Sequence, residues 1–201
     1  ARFYQQRFAV ARNQHAVVRN RALAAAAFGY PLSTEVDYGL QSIHSTQPHG
    51  GAPYLVFLHA TSRRNKMWPD AAWVELGRRA GAHGWRLILP WGNALERQAS
   101  ERLAAAVPGA VIPPAMSLRE ATQLLAGAGA VVGVDTGLAH LAVALGRPTI
   151  GLYLTTEPRL TGLHGGAHAV NLGGGSEESP VVPAVDTVWE ALLPYLDQQA
   201  R

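Results

Sequence analysis

Short, largely apolar runs alternate along the chain with longer stretches in which apolar and polar residues are mixed. A short continuous apolar run is typical of a strand that is buried on both faces of a sheet. We predict such strands at 54–58, 86–89, 110–112, 130–134 and 149–154, with at most one more at 169–172. Strands that alternate with helices indicate βαβ units, so the predicted fold class is α/β, a Rossmann-like, doubly wound parallel sheet.

Capping residues mark the starts of several predicted helices. Asp70 is a predicted N-cap, and Asn93 followed by Glu96 resembles a capping box. Ser117 with Glu120 forms a second and cleaner box. The predicted helices cover 1–30, 70–83, 93–107, 117–127, 138–145 and 186–198.

Composition narrows the class of protein. Hydrophobic residues make up 48% of the chain and charged residues 15%, which argues against a disordered chain. Cysteine is absent, so disulfides, thiolate zinc sites and cysteine nucleophiles are excluded. No apolar run approaches the ~18 residues of a membrane span, and the N-terminus lacks the apolar core of a secretory signal. Because the sequence begins at Ala in the middle of a pattern, we expect a fragment of a longer protein.

The positive charge is concentrated at the start of the chain. The formal net charge of +3 is too weak to predict nucleic-acid binding. Five arginines precede the first acidic residue, Glu35, and these are Arg2, Arg7, Arg12, Arg19 and Arg21. They fit either a solvated helix face or a surface that meets an anionic partner.

Loops that follow the strands carry the candidate chemistry, because open α/β sheets bind ligands at the carboxyl ends of their strands. Thr61 and Ser62 offer hydroxyl donors and Lys66 a positive charge, a set suited to a phosphate or to a solvated basic loop. Glu96 fits helix capping, and it also fits the binding of two ribose hydroxyls. Met116 is suited to fill a gap between helices or to form the apolar wall of a base pocket.

The strongest local signal is Asp135-Thr136-Gly137, where a predicted strand passes directly into a helix. Free amides at a helix start favour a phosphate, and Gly137 lets a ligand approach the backbone. An aspartate would repel a phosphate, so Asp135 is predicted to accept hydrogen bonds from sugar hydroxyls. Asp135 or Thr136 also fits the helix N-cap. His140, one turn further on, fits either a core residue or a ligand contact.

Other active-site patterns are absent from the sequence. It has no G-x-S-x-G, no H-E-x-x-H, no P-loop and no G-x-G-x-x-G placed after a strand. His164 and His168 lie in a Gly-rich stretch without nearby carboxylates, so we expect no metal there.

Four motifs occur in a specific order and spacing: His59-Ala60-Thr61-Ser62 with Lys66 and Trp68-Pro69, Leu89-Pro90-Trp91-Gly92, Met116-Ser117-Leu118, and Val134-Asp135-Thr136-Gly137-Leu138-Ala139-His140-Leu141. Each is weak alone. Together they resemble the lipopolysaccharide heptosyltransferases of glycosyltransferase family 9, and within these the heptosyltransferase I type. The segments 13–17, 29–31 and 37–39 also resemble the stretch that joins the two domains of that family.

The resemblance implies a GT-B fold in which this chain supplies the C-terminal, donor-binding domain. Residues 54–183 would bind ADP-heptose. Residues 1–53 would be a remnant of the acceptor domain and the interdomain linker, and 184–201 a C-terminal helix that crosses toward the N-terminal domain.

The resemblance also implies a role for each candidate residue. Thr61, Ser62 and Lys66 would hold the donor diphosphate, although Ser62 departs from the more usual Thr. Glu96 would bind the ribose hydroxyls, and Met116 would line the adenine pocket.

At the second loop, Asp135, Thr136 and Gly137 would contact the heptose and the phosphates, with His140 beside the diphosphate. The implied reaction is an inverting, metal-independent transfer of L-glycero-D-manno-heptose from ADP-heptose to Kdo of the lipopolysaccharide inner core. In the family the general base is an aspartate of the N-terminal domain. We therefore expect the 201-residue chain to bind donor but to be inactive alone.

The implied location is the cytoplasmic face of the inner membrane of a Gram-negative cell, with peripheral attachment. Kdo-lipid A and the anionic membrane surface would be partners, and neither a cofactor nor nucleic acid is expected. Two alternatives stay open: a non-catalytic nucleotide-binding module, and a GT-B-like enzyme that uses a UDP-sugar.

Overall fold

The computed structural model describes residues 6–40, 53–61 and 63–199, and it centres on one five-stranded sheet. The strands are β1 (Tyr54–Leu58), β2 (Arg86–Ile88), β3 (Ala130–Val134), β4 (Thr149–Tyr153) and β5 (Ala169–Gly173). They are ordered β2-β1-β3-β4-β5, and each neighbouring pair is parallel. The predicted α/β class and parallel sheet are confirmed.

Helices connect and cover these strands. In the described ranges they are α1 (Ala16–Phe28), α2 (Asp70–Ala82), α3 (Ala94–Ala106), α4 (Leu118–Ala126), α5 (Gly137–Ala144), α6 (Pro158–Thr161) and α7 (Val185–Gln199). None of these helices is long and apolar enough to span a bilayer.

Two apolar layers lie on opposite faces of the sheet. On one face Phe57 and Val132 pack with Trp73 in a cluster that includes residues of α2, α3 and α7. On the other face Val56 and Val131 pack with residues of α4 and α5. Adjacent residues of one strand face different layers, so every residue of β1, β3 and β4 is buried.

The first helix is shorter than predicted. Within the described residues α1 begins at Ala16, not near the start of the chain. His15 occupies the N-cap position, and its Nδ1 accepts the backbone N–H of Val17 at 3.2 Å. The prediction of helix over 1–30 is therefore wrong for 6–15, while 1–5 lie outside the described residues.

Two further predicted boundaries are wrong. Asp70 is the first residue of α2, and Pro69 takes the N-cap position. The strand expected at 110–112 is reduced to one bridge between Val111 and Ile88. Pro113 follows this bridge, and proline has no N–H with which to extend a ladder.

The segment 6–40 contacts the rest of the described structure at α6 and at the loop after it. α1 buries only Ala25 and contacts the short helix α6, which was not predicted. His15 Nε2 lies 3.0 Å from the carbonyl oxygen of Gly162, just past α6. Within the predicted remnant and linker of 1–53, residues 31–40 contain neither helix nor strand, and 41–52 lie outside the described residues.

Candidate functional site

A cavity of about 690 Å³ opens where the loops after β1, β2 and β3 meet the start of α4. Because parallel strands end at the same edge of a sheet, these loops lie side by side there. Eight of the nine predicted site residues line the cavity: Thr61, Lys66, Glu96, Met116, Asp135, Thr136, Gly137 and His140. The ninth, Ser62, lies outside the described residues.

Lys66 and Asp135 form an ion pair in this cavity. The Nζ atom of Lys66 lies 2.6 Å from Oδ2 of Asp135, and their side chains are only 17% and 15% exposed. Lys66 ends a 3₁₀ turn after β1, whereas Asp135 follows the neighbouring strand β3. Since both groups are shielded from water, they attract each other more strongly than surface charges do.

Two threonine hydroxyls extend this pair into a network. Thr156 donates to Oδ2 of Asp135 at 3.1 Å, and Thr61 donates to the backbone carbonyl of Asp135 at 3.3 Å. Thr156 is not among the predicted site residues, because no local motif marks the loop after β4. Only the adjacency of β3 and β4 in the sheet brings it to the network.

The N-terminus of α5 faces the cavity without a side-chain cap. Thr136 takes the N-cap position, but its hydroxyl makes no capping hydrogen bond. The carboxylate of Asp135 is engaged with Lys66 and does not cap the helix either. Amides at the start of α5 are therefore available to an anion, and the partial positive charge of the helix end adds to that of Lys66.

Glu96 stabilises the loop between β2 and α3 through two hydrogen bonds. Its Oε2 accepts the backbone N–H of Gly92 at 2.7 Å, and its Oε1 accepts the side-chain amide of Asn93 at 2.8 Å. Asn93 caps α3 as predicted, accepting the backbone N–H groups of Leu95 and Glu96. The return bond of a capping box is replaced by the bond to Gly92. A carboxylate has about four acceptor positions, so Glu96 can still accept two hydroxyls.

Apolar side chains complete the cavity wall. Met116 packs against the layer that contains α4 and α5, and Leu118 at the start of α4 is 70% exposed. Trp91 donates its ring N–H to the carbonyl of Pro113 at 2.9 Å, and the guanidinium of Arg97 lies 5.4 Å from its ring centre. Such a wall suits a nucleobase.

Two histidines lie near the carboxyl ends of β1 and β3. His140 lines the cavity, and burial lowers its pKa, an effect that the charge of Asp135 opposes. His59 follows β1 directly, is 2% exposed, and its Nε2 lies 2.9 Å from Oγ of Ser100 on α3. Within the described ranges, no group of three or more His, Asp or Glu side chains is placed to hold a metal ion.

Similar sequences come from one family. Residues 1–187 match the family described as Glycosyltransferase family 9 (heptosyltransferase). The chain is 48% identical over 174 residues to lipopolysaccharide heptosyltransferase 1 of Pseudomonas aeruginosa, an alignment that covers 86% of this chain and 49% of the relative. It is 45% identical over 166 residues to the protein of the same name from Salmonella typhimurium, with 81% and 52% covered. The chain thus spans about half the length of these curated relatives.

Solved structures agree with the sequence relatives. The chain matches E. coli heptosyltransferase WaaC with ADP at a TM-score of 0.83 and 37% identity, covering 96% of this chain and 60% of that chain. WaaC with ADP-2-deoxy-2-fluoro heptose matches at a TM-score of 0.78 and 36% identity, covering 96% and 59%. E. coli ADP-heptose lps heptosyltransferase II shares the fold, with a TM-score of 0.66 at 23% identity over 90% and 52% of the chains.

Proposed function

Because this chain belongs to glycosyltransferase family 9, the heptosyltransferases, we propose that its cavity binds ADP-heptose as the donor of a heptosyl transfer. The proposal depends on one observation. A cation, a helix N-terminus without a side-chain cap and a carboxylate all line the same cavity. A cation and a free helix start are suited to bind a diphosphate, and a carboxylate is suited to bind the hydroxyls of a ribose. The names of the relatives support heptose as the sugar.

In this proposal the donor spans the cavity. Its diphosphate lies between Lys66 and the start of α5 at Gly137, where Thr61, Ser62, Thr136 and His140 add donors. Asp135 accepts a hydroxyl of the heptose. The ribose hydroxyls bind Glu96, and the adenine packs against Met116.

The proposed transfer begins when a hydroxyl of Kdo in the lipopolysaccharide inner core attacks the anomeric carbon of the heptose. The new C–O bond forms as the bond to the diphosphate breaks, which inverts the anomeric centre and releases ADP. Negative charge grows on the departing diphosphate, and Lys66 with the α5 amides stabilises it most strongly at that stage. These positive groups support a metal-independent reaction.

The proton of the attacking hydroxyl requires a base. In the described part of the cavity, Asp135 is paired with Lys66, and Glu96 is bonded to Gly92 and Asn93. Neither carboxylate is therefore suited to accept that proton, and the proposal assigns His140, which also lines the cavity, to the diphosphate. We propose that an aspartate of an acceptor-binding domain is the base, and that this chain alone binds donor without turnover.

The remaining proposals concern the whole protein. Residues 54–183 form its donor domain, and 1–53 belong to the acceptor domain and linker. Residues 184–201 cross toward the acceptor domain, with α7 packed against α2 on the donor domain. The protein acts peripherally at the cytoplasmic face of the inner membrane of a Gram-negative cell, where its acceptor is Kdo-lipid A.

Calorimetry with ADP and UDP tests the donor site on the chain and on two variants. Lys66→Met removes the shielded cation of the cavity, whose lining also includes the exposed Arg63. We expect ADP affinity to fall at least about tenfold, since a hydrogen bond to a charged group contributes about 1.5–3 kcal/mol. Arg64→Met is the matched control, because Arg64 is an exposed cation of the same turn and is not among the cavity-lining residues. It should leave ADP affinity within about twofold.

Each contrary result has a distinct meaning. Equal losses in both variants would show only a basic loop without a diphosphate site. A preference for UDP would overturn ADP-heptose in favour of a UDP-sugar. Transfer of heptose to a Kdo acceptor by the 201-residue chain alone would overturn the proposed placement of the base. ADP binding by a full-length protein that transfers nothing would favour a non-catalytic module.

A further inference from the structure

The carboxylate of Asp135 is held by two donors on one oxygen. The Nζ atom of Lys66 lies 2.6 Å from Oδ2, and Oγ1 of Thr156 lies 3.1 Å from the same atom. Among the described residues, none donates a hydrogen bond to Oδ1. Asp135 lines the cavity, whereas Thr156 is not among the lining residues. Oδ2 is thus engaged by two side chains, and Oδ1 has no donor among the described residues and can accept a hydrogen bond from a ligand.

The two donors differ in how firmly they fix this arrangement. Lys66 carries three rotatable N–H donors on a flexible stem, so it would follow either carboxylate oxygen. Thr156 has a short, β-branched side chain that is stiff about its first torsion angle. Its loop is anchored on both sides, by β4 before it and by α6 after it, where Glu157 caps the helix by accepting the N–H of Arg159. The hydroxyl of Thr156 is therefore the donor that selects which oxygen stays free.

We infer that Thr156 is a positioning residue for recognition of the donor sugar. By binding Oδ2 it keeps Oδ1 of Asp135 free to accept a hydroxyl of the sugar next to the diphosphate. This inference rests on the proposed function, since it presupposes a nucleotide-sugar in the cavity. Thr156 contacts no part of the donor itself and acts through Asp135.

Repulsion between the carboxylate of Asp135 and a diphosphate explains why one carboxylate oxygen must be bound by donors of the protein. A carboxylate close to a diphosphate repels it, and the charge of Lys66 compensates this repulsion only while the ion pair is intact. Thr156 and Lys66 together hold the negative charge of Oδ2 within the protein network. The orientation of Oδ1 then matters to a ligand that carries a sugar, and it matters little to ADP, which has no sugar beyond its diphosphate.

Affinity for ADP and ADP-heptose separates the two parts of the donor. Thr156→Val keeps the branched shape and removes the hydroxyl, so we expect ADP-heptose to bind about five- to tenfold more weakly, the scale of one net hydrogen bond. ADP affinity should stay within about twofold. Thr156→Ser retains the hydroxyl and should restore ADP-heptose affinity to nearly the original value. Calorimetry measures the affinity for ADP and for ADP-heptose of the whole chain and of both Thr156 variants. Thermal melting verifies that each variant is folded.

A double-mutant cycle tests whether Thr156 acts through Asp135. Asp135→Ala removes the carboxylate that Thr156 orients, and by itself it should weaken ADP-heptose binding. If Thr156 acts only through that carboxylate, Thr156→Val should cause no further loss in the Asp135→Ala background. A purely structural role would instead give additive losses, and it would affect ADP and ADP-heptose alike.

The outcomes separate this inference from its premise. If the unmodified chain binds ADP-heptose no better than ADP, the proposed sugar site fails and the inference fails with it. If the chain prefers ADP-heptose and Thr156→Val retains that preference, only the inference is overturned. Equal losses for both ligands, or additive losses in the cycle, also overturn it.

Discussion

His59 is a buried histidine whose ring is held in its neutral form by the fold. It is 2% exposed, and its Nε2 lies 2.9 Å from Oγ of Ser100, so it joins the end of β1 to α3. Burial lowers the pKa of His59 to about 4, although the charges of Glu96 and Asp70 oppose the shift. Because α3 carries Glu96 in its first turn, this buried bond also supports one wall of the cavity.

The lowered pKa of His59 predicts that the chain loses stability in mild acid. The unfolded histidine takes up a proton as the pH falls through about 6.5, whereas the folded one does so only near pH 4. Protons therefore favour the unfolded state between these two values, and the loss levels off below the lower one. A separation of this size corresponds to about 3 kcal/mol in the free energy of unfolding. Urea denaturation followed at pH 7.5 and at about pH 4.5 measures it.

His59→Gln is the control for this pH dependence, because glutamine can bond Ser100 but does not titrate. Burial also lowers the pKa of His140 and His164, so their contribution remains in the variant. We expect the variant to be less stable at pH 7.5 and to lose clearly less stability on acidification. If the two proteins lose the same free energy of unfolding between these pH values, His59 does not cause the acid sensitivity.

At the scale of elements, the sequence predicted best where local chemistry decides the structure. The capping box of Ser117 and Glu120 is present in full at the start of α4. Three of the predicted apolar runs correspond to β1, β3 and β4. Helices cover both faces of these strands, so neither face has to carry polar side chains. The loops that follow parallel strands lie at one edge of the sheet, so eight site residues that were predicted from separate loops line one cavity.

The sequence could not reveal features that depend on strand order and on contacts between distant residues. The bond from Thr156 to Asp135 requires that β4 lie beside β3. His15 caps α1 and reaches Gly162, a contact between residues 147 positions apart that no local pattern encodes. The strand expected at 110–112 failed because its apolar residues satisfied the pattern of a strand while the prolines after it prevented a ladder.

Close packing against the middle of β4 predicts that Gly151 tolerates no side chain. A Cβ atom there would lie 2.8 Å from the ring of Tyr153 and 3.0 Å from a methyl group of Leu163. Both neighbours are buried and cannot move aside freely. Gly151→Ala should therefore lower the free energy of unfolding by about 1–3 kcal/mol, the cost of overpacking a core. Urea denaturation monitored by tryptophan fluorescence measures the change.

Gly81→Ala is a control in which the same substitution should have the opposite sign. Gly81 lies in α2, and no described atom outside its own helix lies within 4 Å of the added Cβ. Alanine in a helix is about 0.5–1 kcal/mol more favourable than glycine. A stable Gly151→Ala variant would mean that β4 and the loop after α6 pack less tightly than the contacts at Gly151 indicate.

At the scale of the whole molecule, the segment 6–40 differs from the rest of the structure. It carries exposed apolar side chains, the most exposed being Phe28 at 82%, and α1 buries only Ala25. The same segment carries arginines, among them the exposed Arg12. Exposed aromatic residues together with cations are suited to an anionic membrane surface. This combination fits the proposed peripheral location, and the same apolar side chains are also suited to pack against the rest of the proposed acceptor domain.

Sedimentation with lipid vesicles tests whether Arg12 contributes to binding of an anionic membrane. We expect the chain to bind vesicles that contain an anionic phospholipid more strongly than purely zwitterionic ones. Arg12→Glu should weaken that binding at least about fivefold, because each basic residue near an anionic surface contributes about 1 kcal/mol. Arg119→Glu, an exposed arginine on α4, makes the same change in net charge elsewhere and should have a smaller effect. Equal losses in the two variants would show that net charge alone drives binding, and no loss in Arg12→Glu would show that Arg12 does not contribute to membrane binding.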